Sequence, residues 1–378
     1  MKIMLFCYAE EMRIEISNWA VYLAGLPHEF VIVPLVRLID EANYKEVISR
    51  LGQSSDNISV DPVYLRSLNS SFRNLAVPNV MLKDALSIFN AVKRSRPDAI
   101  VCFYVTHAYP LVFLKRIFKF RLCVYALGSD INLENDVFHR LTRNFTFGNC
   151  ELIFSVSREI KNKIEEDTGH SVMVIPSSAD LSFFRPLFSK MELRRKWGVQ
   201  TKRVILTVCR LHRYKGVDVV IKAFRTINYN DVDLLIVGDG GERKSLEKLS
   251  AVLGIKEKVK FLGFRNRKEL LELYNIADLF VLGSYSEGLP RVLIEAMGCG
   301  CIPLVTNVGD NTAVVRDGYN GFIVNPGDFV RMGERMTYVF SLPEQTLSIL
   351  GDRARYAVVY EFDSEIAIRK MVESIVSL

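Results

Sequence analysis

The chain alternates short apolar runs with longer helical stretches, and it does so twice. In the first half the runs 2–7, 29–35, 99–104, 121–126, 152–155 and 172–175 read as strands. Between them, 13–25, 82–95, 109–119, 134–146 and 157–167 repeat apolar residues at helical spacing. The pattern restarts with strands at 204–208, 233–237, 259–262, 278–282 and 302–305, and with helices at 217–226, 242–252, 267–275, 290–299 and 329–340. Runs that are apolar throughout must be buried on both faces. Strand–helix alternation supplies the cover when the strands are parallel. The fold class expected is therefore α/β, with two domains facing across a cleft. Segment 180–186 and the charged segment 190–203 read as the linker. The domains are expected at 1–186 and 187–361, with a closing helix over about 362–378 free to pack back on the first. Segment 41–80, rich in Asn and Ser, reads either as a helix, a strand and a long connection or as an acceptor loop.

Size agrees with two domains, since 378 residues exceed one ordinary core. A net charge of +6 admits anionic ligands. Acidic and basic residues are mixed, and no nucleic-acid-binding motif or long basic run occurs, so nucleic acid is not expected as a partner. Seven cysteines are scattered without a framework, which points to reduced thiols in the cytoplasm. Cys299 and Cys301 lack the spacing of a zinc half-site, and no metal is expected. The apolar N-terminal run is too short for a signal peptide, and no stretch reads as a membrane span.

Three segments at the expected carboxyl ends of second-half strands carry chemistry. Glu287-Gly288-Leu289-Pro290-Arg291-Val292-Leu293-Ile294-Glu295 leads from a strand into a helix beginning near Pro290. Such a helix start aims N–H groups and a positive dipole end at a phosphate, and two carboxylates beside it suit hydroxyl-rich ligands. A capped helix with two solvated acids is the other reading. After strand 204–208, Arg210 and Lys215 put two cations on a loop that is either a phosphate grip or a solvated basic turn. Gly238-Asp239-Gly240-Gly241 is an incomplete dinucleotide fingerprint, since Arg243 stands where glycine is needed; a tight turn explains it.

Taken in order, these segments resemble glycosyltransferase family 4, retaining nucleotide-sugar-dependent enzymes with two Rossmann-like domains (the GT-B fold). The resemblance runs from about residue 95 and is strongest over 204–328. Its carriers are the paired-glutamate block 286–303, Gly318-Tyr319-Asn320-Gly321 leading to Asp328, Arg96-Pro97-Asp98 with Thr106-His107, and Val174-Ile175-Pro176 leading to Phe184-Arg185-Pro186. It implies an N-terminal acceptor domain and a C-terminal donor domain. Arg210 and Lys215 would neutralise the donor diphosphate as the sugar leaves, an effect of roughly 3–4 kcal/mol per strong donor. Gly288, Leu289, Pro290 and Arg291 would present the helix start to the phosphates. Glu295 would hold the ribose and Glu287 the donor sugar. His107 would reach across the cleft, unless it is an ordinary strand-end histidine. Backbone near Phe264 and Arg265 would meet the base.

The implied activity is transfer of a hexose from a nucleotide diphosphate sugar to a saccharide or lipid-linked acceptor, without cofactor or metal, in polysaccharide or glycan biosynthesis. The chain departs from the family in its first loop, where Tyr8-Ala9-Glu10-Glu11-Met12-Arg13 lacks glycine. Glu10, Glu11 and Asp130 are acceptor-side candidates, and Asp130 reads equally well as a helix cap. Leu127 and Ser177-Ser178-Ala179 also depart from the pattern. Stretch 111–121 interleaves apolar and basic residues, as either a peripheral contact with the inner membrane face or a helix with one buried side. The alternatives to transfer are a nucleotide-sugar-binding protein and a GT-B-like epimerase.

Overall fold

The computed structural model describes residues 1–8, 19, 22–37, 55–65, 78–127, 129–132, 137–227 and 231–378. Glu10, Glu11, most of the expected helix 13–25 and most of 41–80 lie outside them. The chain forms two compact units, Met1–Pro176 with Ser364–Leu378, and Ser177–Asp363.

The first unit is built on strands β1 (Lys2–Tyr8), β2 (Glu29–Arg37), β3 (Ile58–Val60), β4 (Val63–Leu65), β5 (Ala99–Phe103), β6 (Arg121–Ala126), β7 (Leu152–Ser155) and β8 (Met173–Val174). They pair in parallel in the order β3-β2-β1-β5-β6-β7-β8, with β4 also on β2. One face is covered by α1 (Pro78–Ser95), α2 (Tyr109–Phe118) and α4 (Val137–Phe147), which bury Ile88, Leu111, Val112 and Phe147 against it. The short α3 (Ser129–Asn132) follows β6, and α5 (Arg158–Thr168) follows β7 with Ser157 accepting from Ile160 N–H as its cap. The chain's last helix, Ser364–Val376, belongs here too. Its Ile368, Met371, Val372 and Ile375 pack with Ile3, Leu5 and Phe103 on the other face.

The second unit repeats the plan. Strands β9 (Arg203–Val208), β10 (Val232–Val237), β11 (Val259–Gly263), β12 (Leu279–Leu282), β13 (Ile302–Thr306) and β14 (Phe322–Val324) run in the order β11-β10-β9-β12-β13-β14, all parallel. Its helices are α6 (Lys190–Lys196), α7 (Val217–Thr226), α8 (Arg243–Val252), α9 (Arg267–Ile276), α10 (Arg291–Gly298), α11 (Asn311–Val314), α12 (Phe329–Ser341) and α13 (Glu344–Val359). Apolar clusters lie on both faces of the sheet, one around Phe280, Leu293 and Tyr274 and one around Ile205, Val220 and Met336. Of these elements, α6, α11, α13 and β14 were not expected from the sequence.

The charged segment 190–203 is not a linker. Asp278, at the start of β12, accepts from Lys190 Nζ (2.8 Å), Arg194 Nη2 (2.7 Å) and Val204 N–H (2.8 Å). The cations that look like solvated linker charge thus fasten α6 to the sheet. Segment 177–186 also sits in the second unit, because Ala179 N–H donates to Phe362 O and Phe184 joins the core with Tyr274. The chain therefore divides after Pro176, ten residues before the boundary read from sequence.

In each sheet the strand order reverses once, between β1 and β5 and between β9 and β12. Ligands of open α/β sheets bind at such points, where the loops after the two strands leave in opposite directions. In the second unit those loops are 209–216 and 283–290. They meet backbone to backbone at Gly216 and Gly283. Gly216 has φ +59°, and a Cβ on it would collide with the Gly283 carbonyl. A Cβ on Gly283 would come within 2.6 Å of the Gly216 carbonyl. The glycines of 238–241 do a similar thing, since Gly238 and Gly240 pass against the carbonyls of Cys209 and Leu211. Close approach and positive φ therefore account for Gly238 and Gly240, as a tight turn alone does not.

Two outcomes follow. Asp278→Ala removes the acceptor shared by α6 and β9 and takes the carboxylate from the partly buried Arg194, so urea unfolding is expected to show a loss of about 2–3 kcal/mol. Gly216→Ala adds strain and a backbone clash together, and is expected to cost about 2–4 kcal/mol in the same measurement.

Candidate active site

At the second unit's switch point the loop contact at Gly216 and Gly283 brings Lys215 onto Glu287. Lys215 Nζ lies 2.7 Å from each carboxylate oxygen of Glu287, and Ser284 Oγ donates to Oε1 at 2.7 Å. An ammonium has three N–H donors, so one remains for a ligand. The Glu287 turn is backed by Gly309, where a Cβ would strike the carbonyls of Glu287 and Gly288, and by Asp310 N–H donating to Gly288 O at 2.8 Å. Thr306 Oγ1 donates to Ser284 O at 2.6 Å. Lys215 Nζ also stands 5.1 Å from the Tyr214 ring centroid. Arg210 is on the same loop and exposed.

Helix α10 starts at Arg291, one residue later than expected, with Pro290 as its N-cap in extended backbone. The first turn of such a helix lacks intrahelical acceptors for its N–H groups, so its start remains an anion-binding end. The side chain of Leu289 is buried in the core, so this residue can serve a ligand only through its backbone. Phe264 and Arg265 follow β11 at the same edge of the sheet. Phe264 is exposed, and the Arg265 guanidinium lies 5.6 Å from the Trp197 ring centroid.

The two glutamates live in different surroundings. Glu287 is held beside a cation. Glu295 is buried inside the first turns of α10 and accepts from Tyr274 Oη at 2.9 Å. Burial pushes its carboxyl above the ordinary range, while Arg291, the Tyr274 hydrogen bond and Arg267 pull it back. Burial, with Glu295 beside it, likewise lifts the Tyr274 hydroxyl well above its usual value. The Cys209 thiol, next to the cationic loop, is pushed up to about 12 by burial and stays protonated.

In the first unit, His107 stands at the carboxyl end of β5, beside that sheet's own switch point. Tyr104 turns the chain out of β5 with φ +81° and stacks on His107 at 5.3 Å. The imidazole is partly exposed, but burial of its inner edge lowers its pKa to about 3, so it is neutral at physiological pH. Asp130 does not line an acceptor surface. It is fully buried, and its carboxylate accepts from Val105 N–H (3.0 Å) and Leu127 N–H (3.1 Å), tying the loops after β5 and β6 together. Glu10 and Glu11 fall outside the described residues. No cluster of metal-ligating side chains occurs among the described residues.

Sequence reasoning missed Tyr274, Ser284 and Gly309. Ser284 lies three residues before Glu287, a spacing that could have suggested the bond. Nothing local marks Tyr274, which comes from another helix.

Residues 189–355 match the family described as glycosyl transferases group 1. Among curated relatives, the N-acetyl-alpha-D-glucosaminyl L-malate synthase of Bacillus anthracis is 27% identical over 64% of this chain and 62% of its own. The UDP-Gal:alpha-D-GlcNAc-diphosphoundecaprenol alpha-1,3-galactosyltransferase of Escherichia coli is 29% identical over 51% of this chain and 50% of its own. The chain thus spans only about half to three-fifths of the length of these relatives. Among solved structures, Anabaena HepE in complex with UDP and glucose superposes with a TM-score of 0.82 at 20% identity, over 100% of both chains. It shares the fold, two Rossmann-like domains of the GT-B class. The motifs of 204–328, folded around one switch point, thus lie within the part of the chain that resembles the glycosyl transferases of group 1.

Proposed function

We propose that the chain is a retaining glycosyltransferase that moves a hexose from a nucleoside diphosphate donor to a saccharide or lipid-linked acceptor in glycan biosynthesis. The observation that carries this reading is the Lys215–Glu287 pair, held at 2.7 Å beside the start of α10 at the switch point. UDP, which HepE holds in its complex, is the first nucleotide to test. In this reading the donor diphosphate lies over the first turn of α10. Arg210 and the third N–H of Lys215 meet its oxygens. Glu287 keeps Lys215 aimed and borders the sugar hydroxyls. Glu295 takes the ribose, and the backbone at Phe264 and Arg265 takes the base.

The chemistry needs no protein nucleophile. The bond from the anomeric carbon to the diphosphate oxygen breaks while the acceptor oxygen attacks from the same face. The acceptor's proton passes to the departing phosphate. An oxocarbenium-like transition state puts growing negative charge on the leaving group, and Lys215, Arg210 and the helix end are set to stabilise it. A neutral His107 can donate or accept one hydrogen bond to sugar or phosphate without adding charge. No metal ion takes part. The enzyme works in the cytoplasm, and a lipid-linked acceptor would bring it to the inner membrane face. No helix among the described residues is long and apolar enough to cross a membrane.

Lys215→Ala is expected to lower kcat about a hundredfold to a thousandfold, with a smaller change in donor affinity. Glu295→Ala is expected to weaken nucleotide binding about tenfold or more by calorimetry. Wild-type behaviour in both variants would remove the site assignment. Turnover is expected to persist in EDTA, and strict dependence on a divalent cation would contradict the metal-free step.

A further inference from the structure

The α1–α2–α4 layer of the first unit presents an outer face that no other described residue covers. Along α2, Tyr109, Phe113, Arg116 and Ile117 fall at i, i+4, i+7 and i+8, one stripe of the helix. Phe113 is 47% exposed and Ile117 62%. On α4, Leu141 is 63% exposed and Phe145 37%. The rings join across the two helices, with Phe113 and Phe145 stacked at 5.8 Å and Tyr109 at 5.4 Å and 5.7 Å from them. Leu86, on α1 of the same layer, is 50% exposed. A soluble surface rarely gathers this many large apolar side chains without use.

Charge decides what could cover the face. Neither α2 nor α4 contains an acidic residue, and Arg116, Lys119 and Arg140 are all exposed. The α2 stripe ends in a cavity of about 780 Å³ at the amino ends of β1, β5 and β6, away from His107. Lys93, Arg96, Lys119 and Arg121 line it beside Ile117 and Phe118. The one carboxylate in its lining, Asp98, already accepts Lys2 N–H at 2.7 Å. A second copy of this chain docked here about a two-fold axis would set cations against cations. An anionic bilayer satisfies both features, because its interface takes aromatic and aliphatic side chains and its phosphates take the lysines and arginines.

We infer that the outer face of α1, α2 and α4 docks on an anionic lipid bilayer, with Phe113, Ile117, Leu141 and Phe145 in the interface and the cavity lined by Lys93, Arg96, Lys119 and Arg121 receiving lipid phosphates. It extends the lipid-linked reading above. Docking is measured without donor or acceptor, so it can fail while sugar transfer stands, and transfer can fail while docking stands.

Co-sedimentation of the full chain with phosphatidylglycerol–phosphatidylcholine vesicles is expected to give binding that falls as salt rises, and none with phosphatidylcholine alone. Lys93→Gln with Lys119→Gln should lower the partition coefficient about twenty-five-fold, at about fivefold per charge. Phe113→Ser with Ile117→Ser should lower it at least as far. These side chains are exposed, so both variants should keep the wild-type melting temperature and, with a soluble acceptor, wild-type turnover. Equal binding to neutral vesicles, no binding at all, or a lipid-free dimer that Phe113→Ser with Ile117→Ser dissolves would each overturn the proposal.

Discussion

The candidate donor site rests on a contact between two backbones. Gly216 and Gly283 let the loops after β9 and β12 touch where any side chain would hold them apart. That contact sets Lys215 against Glu287, and Gly309 closes the turn from the far side. Three glycines from three loops therefore fix the distance between one cation and one carboxylate. The preorganisation is useful in chemistry whose main difficulty is charge building on a leaving group, because fixed charges need no reorganisation as the reaction proceeds.

The two glutamates sit in different environments. Glu287 sits in a polar turn with an ammonium and a hydroxyl. Glu295, about one turn into α10, faces a buried tyrosine in an apolar cluster. Two carboxylates so differently placed are not an acid–base dyad of the kind that splits glycosides, where both groups flank one bond. The roles proposed for them, Glu287 near the sugar and Glu295 near the ribose, rest on that difference.

Much of this was readable in the amino-acid order. Parallel, doubly covered sheets follow from apolar runs with helices between them, and α7 begins and ends where the pattern places it. The paired-glutamate block and the cationic loop were visible as motifs because each is local. The errors lie where function is set by distant partners. Lys190 and Arg194 read as linker charge, since nothing near them shows that Asp278, more than eighty residues on, would bind both. Asp130 read as a candidate acceptor residue or cap, but its oxygens go to the backbones of Val105 and Leu127. Helix α13 was missed, although it buries Leu347, Leu350 and Val358.

What the sequence alone determined is the periodicity of the chain, and with it the α/β class, the two repeated units and the residue types gathered at strand ends. Only the tertiary structure decided which of those residues meet. Strand order puts the loops after β9 and β12 side by side, and it puts α1, α2 and α4 in one layer whose outer face no other described residue covers. Both results depend on pairings between strands far apart in the chain. Periodicity is written within a few residues, whereas strand order is settled by how whole elements pack, and no short stretch of sequence encodes that.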